Sequence, residues 1–202
     1  MSQDNNNTQE VTENDDEPSL ACYRSMRIKT NKGRGMRIHF QFTLDEEDLY
    51  HSKLLSKTQT KPIPIARGDK AHYSNTNPYY LIANEDLDEF RLMHNDTGIL
   101  TCLFKKKKKG PKKVEVTWTE DRTIHLVNKT AEKTDAGKWC LDFDGRYAEP
   151  SIKNCILIHP ETGETMAMFR RIDEWEMHVD AKPDLPDVML FAVLLCLNMC
   201  PF

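Results

Sequence analysis

The chain closes on PDVMLFAVLLCLNMCPF, Pro186 to Phe202, and the reading of this run decides the fold. From Val188 to Leu197 every residue is apolar. A half-wet strand alternates and an amphipathic helix keeps a polar stripe, so neither fits. A helix apolar on all sides must be enclosed, by protein or by lipid. Pro186 suits its first turn, and Asp184 or Asp187 can cap or complement its positive end. As a helix the run from Asp187 to Phe202 reaches only about 24 Å. A hydrocarbon core of about 30 Å asks for roughly 20 residues. Asn198 interrupts the run and Pro201 ends it. The expectation is a core helix over about 186–200, wrapped by the rest of the chain, with no transmembrane segment.

What wraps it is legible as alternation. Ile38, Phe40 and Phe42 share one parity, as do Leu100, Cys102 and Phe104, then Val114, Val116 and Trp118. Trp139, Leu141 and Phe143 follow, then Ile156 and Ile158, Met166 and Met168, and Trp175, Met177 and Val179. Successive strand residues point to opposite faces, so each set is read as lining one buried face. Turn residues separate the sets at Lys109-Gly110-Pro111, Asp144-Gly145 and His159 to Gly163. This spacing predicts an antiparallel, mostly β fold. No Gly-rich phosphate loop opens a helix and no βαβ rhythm appears, which argues against a nucleotide-binding α/β fold.

The 202 residues are 39% apolar and 30% charged, enough for one domain with a tail. The net charge of −4 is mild, but Asp4, Glu10, Glu13, Asp15, Asp16 and Glu17 crowd one end without a Lys or Arg. Residues 1–20 are therefore read as a disordered acidic tail and 21–202 as the folded domain. No basic and apolar segment of a signal peptide opens the chain. The six cysteines are scattered, with no Cys-x-x-Cys pair, and read as reduced thiols in a cytoplasmic protein.

An ordered set of motifs then resembles the C-terminal domain of the tubby family. It includes Phe143-Asp144-Gly145-Arg146, Ser151-Ile152-Lys153-Asn154-Cys155, Met166-Ala167-Met168-Phe169-Arg170, and the apolar helix from Pro186. Upstream, KGPKKVEV (Lys109–Val116), IHLVNKT (Ile124–Thr130) and PYYLIANEDL (Pro78–Leu87) are similar to family segments in the same order. The likeness runs from about Tyr23 to Leu197. It implies a closed, or nearly closed, barrel of about twelve antiparallel strands around the C-terminal helix. It also implies a non-enzymatic, cofactor-free monomer that binds phosphoinositides. Such a protein would be peripheral at the inner plasma membrane, in some cases an adaptor carrying protein cargo into cilia.

Two departures set further expectations. The resemblance draws the phosphoinositide pocket from a basic stretch and from a following G-K-L-R-S-N strand. Here the first keeps Arg67 and Lys70, with Asp69 between them, and the second is not recognisable. The chain therefore reads as shortened by about a strand. Where the family keeps alanines on the helix, this chain has Met189, Leu194 and Cys196. Either the wall carries smaller inward residues, or the barrel is open on one side.

Charge lies elsewhere too. KKKKKGPKK places Lys105, Lys106, Lys107, Lys108, Lys109, Lys112 and Lys113 around a Gly-Pro turn. It reads as a solvated hairpin tip or as a patch for anionic lipid, at about 1 kcal/mol per lysine near a membrane. An alternative is a regulatory module docking protein or nucleic acid on the same hairpin. Net acidity and the lack of interleaved aromatics argue against nucleic acid. No G-x-S-x-G elbow, metalloprotease His pair or His-x-His is present, so neither catalysis nor a metal is expected.

Overall fold

A computed structural model of the chain describes residues 20–31, 36–54, 61–68, 78–108 and 110–202. Lys70, Lys109 and residues 1–19 of the acidic segment lie outside the described residues. The strands are β1 (Ala21–Asn31), β2 (Met36–Leu44), β3 (Glu47–Leu54), β4 (Ile63–Arg67), β5 (Tyr79–Ala83), β6 (Glu89–His94) and β7 (Thr97–Lys105). They continue with β8 (Lys113–Trp118), β9 (Ile124–Asn128), β10 (Glu132–Lys133), β11 (Trp139–Cys140), β12 (Cys155–Ile158), β13 (Thr165–Arg171) and β14 (Glu176–Ala181). One helix, α1 (Asp187–Met199), ends the order.

All but β10 and β11 form a closed antiparallel barrel of twelve strands. Closure comes from β1 against β14, with Cys22 opposite Asp180 and Ser25 opposite Met177. No barrel strand is left with an unpaired edge, which removes a template for aggregation. The expected loss of a strand is corrected here. Directly after β5 comes β6, FRLMH with Glu89 before it, paired to β5 on one side and β7 on the other. Two-residue turns at Asp45-Glu46 and Asn95-Asp96, all four residues at positive φ, tie β2 to β3 and β6 to β7.

The interior is filled by α1. Val188 to Leu197 are all buried, Met189, Leu194 and Cys196 completely so. The barrel is closed nonetheless, because small side chains also face inward: Ser25, Ser52, Ala83, Ala167 and Ala181 are buried in the wall. These leave the volume that the larger helix residues take up. Pro186 occupies the N-cap position, and Asp187 in the first turn accepts a 2.7 Å hydrogen bond from the Tyr23 hydroxyl. Asp184 instead pairs with Arg122 at 3.0 Å. Tyr23→Phe removes the one described side-chain hydrogen bond that fastens β1 to the start of the helix. It is expected to cost about 1–2 kcal/mol in urea unfolding, with the barrel's circular dichroism unchanged.

Most of the alternating sets line a buried face, though not always the interior, and the set from Trp139 to Phe143 does not. Ile156 and Met168 are buried on the outside of the barrel, with Phe143, under the segment that follows β11. Cys155, Leu157, Ala167 and Phe169 face the helix instead. Trp139 and Trp175 are exposed, and Phe143 lies outside any strand. No helix among the described residues is long and apolar enough to cross a membrane.

Candidate functional site

The helix axis gives the barrel two ends with different chemistry. At the end where α1 begins lie the turns after β2, β6 and β8, carrying Asp45, Glu46, Asp96, Glu120 and Asp121. These carboxylates lie on the side of the helix's partial positive charge. At the other end the helix has no basic residue in its own last turn. Cations from elsewhere supply that role. The Lys153 ammonium donates to the Cys200 carbonyl, and Lys112 donates to the Phe202 backbone oxygen at 2.7 Å. Burial holds the Lys112 ammonium below the usual lysine range. Lys112 is thus a structural cation of the helix end rather than a member of an exposed patch.

The lysine turn extends beyond this same end. Lys105 and Lys113 close the β7–β8 ladder opposite one another, a like-charge pair that costs stability. Lys105 is offset by Glu115, at 3.1 Å. Lys106, Lys108 and Lys113 are exposed and Lys107 is half-buried. Phe202 places its ring 6.0 Å from the Lys106 ammonium. Beside the turn, Lys107, Lys113, Asn128 and Thr130 line a recess of ≈ 210 Å³. Gly110 has a φ of +99°, and a Cβ there would stand 3.1 Å from the Trp139 ring. Glycine is needed both for the backbone and for this approach. An aromatic ring therefore packs on the lysine turn, through the β10–β11 ribbon, although no aromatic interrupts the lysines in sequence.

A second mouth cavity of ≈ 110 Å³ lies between β1, β2, the β13–β14 turn and the end of α1. Arg27, Lys153 and Arg171 line it, but so do Asp173, Glu174 and Glu176. Asp173 accepts the backbone N–H groups of Trp175 and Glu176, and Glu174 pairs with Lys29 at 3.1 Å. Arg27 continues the inward parity of Tyr23 and Ser25, so alternation alone could have placed it at the mouth.

Arg67 lies at the opposite end. It continues the inward parity of Ile63 and Ile65, and its guanidinium reaches Tyr50 and Tyr79 at the barrel rim. Tyr50 first, then the hydrogen bond to Tyr79, raise the Arg67 pKa. Arg67 and the lysine turn are therefore separated by the length of α1, about 20 Å, and do not form one site. The outer face of β6 adds Arg91, which is bound to Glu89 at 2.6 Å.

A sequence model described as the Tub family matches residues 1–197. The chain belongs to the Tub family. The closed barrel threaded by its own C-terminal helix is the architecture of that family. A search of curated proteins finds no match. Tub-family domains are non-catalytic, and among the described residues no group of three His, Cys, Asp or Glu side chains could hold a metal ion.

The Tub-family motifs also acquire physical roles. Phe143-Asp144-Gly145-Arg146 is a tight turn with positive φ at Asp144 and Gly145. It turns Phe143 onto Ile156 and Met168 and brings Arg146 within 3.8 Å of Asp180. Asp180 is buried and also receives Arg170, at 2.6 Å. Arg170 then donates to the Tyr147 carbonyl at 2.6 Å. Within Ser151–Cys155, Lys153 serves the helix end, and Asn154 joins the Glu149 carbonyl to the Arg171 amide.

Proposed function

We propose that this Tub-family module associates peripherally with anionic, phosphoinositide-bearing membranes, at the inner face of the plasma membrane. One observation carries the reading. The β7–β8 turn presents Lys105, Lys106, Lys107, Lys108 and Lys113 at one end of the barrel, and among the described residues only Lys105 is matched by a carboxylate. The four unmatched charges can hold a protein on an acidic surface without a shaped pocket. Arg67, with Lys70 by the resemblance, is an alternative headgroup contact at the other end, which does not meet the same bilayer as the lysine turn. An adaptor role in membrane or ciliary protein traffic belongs to the same reading. It requires a cargo surface distinct from the lysine turn.

Flotation with vesicles of phosphatidylcholine, alone and with phosphatidylserine or a bisphosphorylated phosphoinositide, tests the proposal. Binding is expected only to the anionic vesicles. The triple variant Lys106→Gln, Lys107→Gln, Lys108→Gln should weaken it by about 3 kcal/mol, or roughly a hundredfold. Absence of binding at physiological salt overturns the proposal. Equal binding to both anionic lipids at matched charge overturns headgroup recognition and leaves charge attraction.

A further inference from the structure

Five large apolar side chains among the described residues are more than a third exposed: Ile28, Trp139, Tyr147, Ile152 and Trp175. All but Tyr147 stand at the end of the barrel where α1 finishes. Trp139, 50% exposed, packs on Gly110 in the lysine turn. Ile152, 63% exposed, precedes Lys153, whose ammonium reaches the Cys200 carbonyl. Trp175, 40% exposed, lies in the β13–β14 turn with the Lys29 ammonium 4.6 Å from its ring centroid. Trp175 thus has a cation against its ring, and Trp139 and Ile152 stand beside segments that carry lysines.

We propose that the barrel docks end-on, with the finishing end of α1 toward an anionic bilayer and Trp139, Ile152 and Trp175 entering its interfacial layer. This rests on the membrane reading above and adds the face, the orientation and the inserted side chains. Indole rings favour the headgroup level, where the apolar ring and the N–H are both satisfied. Lysines are drawn to acidic headgroups, and their stems lie along apolar surface while their charges stay wet. Neither signal is strong alone, and stable peripheral binding takes two. The opposite end presents Asp45, Glu46, Asp96 and Glu120 beside Arg67; Glu85, Asp86, Asp173 and Glu174 lie at the docking end, but only that end gathers Lys105, Lys106, Lys107, Lys108 and Lys113 on one hairpin. A nucleic acid would use the same lysines but would gain nothing from burying Ile152.

Tryptophan fluorescence of the full chain on anionic vesicles with brominated acyl chains gives the test, run beside flotation and an RNA oligonucleotide. Quenching of Trp139 and Trp175 is expected on bound vesicles. The double variant Trp139→Phe, Trp175→Phe should show none, since Trp118 is 1% exposed inside the barrel. Ile152→Gln should weaken vesicle binding about tenfold without moving the melting temperature. Flotation without quenching of either exposed tryptophan overturns end-on docking and leaves membrane association standing. No flotation overturns both. Binding to the RNA in place of vesicles overturns the bilayer as the occupant of this face.

Discussion

Phe191→Ala is expected to lower the unfolding free energy by about 3–5 kcal/mol. Phe191 is fully buried in the barrel, and its ring lies 5.2 Å from that of Phe42 and 6.1 Å from that of Tyr50. Phe42 in turn stacks on Tyr23 at 5.1 Å. The helix ring therefore joins β1, β2 and β3 to the centre of the molecule. Its removal loses the transfer free energy of the side chain and leaves a cavity that a closed wall cannot collapse to fill. Each aromatic pair adds about 0.5–1.5 kcal/mol beyond the buried area. Against a typical total of about 5–15 kcal/mol, this is a large share of the stability. Urea unfolding followed by circular dichroism should show the midpoint falling by about 1–3 M, with the slope unchanged. A change below about 1 kcal/mol would mean that the wall closes over the gap, and that the helix is not the anchor of the interior.

The run from Val188 to Leu197 revealed the fold because it has no polar face. Only a surrounding wall could satisfy it, and the alternating segments were the only wall available. Closure was less visible. It depends on residues as bland as Ser25, Ser52, Ala167 and Ala181, whose small size matters only once they are known to face Met189 or Leu194. The strand β6 escaped notice because Arg91, Met93 and His94 do not repeat the expected basic pattern. A strand's pairing needs backbone geometry rather than that pattern. Ile156 and Met168 mislead for a related reason: alternation reports that a face is dry, not which element dries it. Of the candidate site, the lysine turn was legible as charge. Its alliance with Trp139 was not, since it crosses from one hairpin to another. Nor was the withdrawal of Lys112 to the helix end, which requires knowing where α1 stops. That Arg67 and the lysines stand at opposite ends was not legible either, since it requires the register of the whole barrel.

Asp180→Ala is expected to destabilise the fold by about 3–5 kcal/mol, through a different cause. Asp180 and Arg170 are 4% and 5% exposed and meet at 2.6 Å on the outer side of β13 and β14. Removing the carboxylate strands a buried guanidinium, whose remaining described partner is the Tyr147 carbonyl. Arg146, 3.8 Å from the other carboxylate oxygen, loses its anchor too, and with it the turn that presses Phe143 onto the barrel. Asp180→Asn keeps the size and an acceptor but not the charge, so it should fall between wild type and alanine. The double variant Arg170→Met, Asp180→Leu separates an unpaired charge from a general packing defect. Replacing both partners removes the stranded charge, so the double variant should be more stable than Asp180→Ala alone. If it is instead less stable by the sum of the two single losses, the pair acts through packing rather than charge. The segment from Phe143 to Arg146 is then held by its apolar contacts alone.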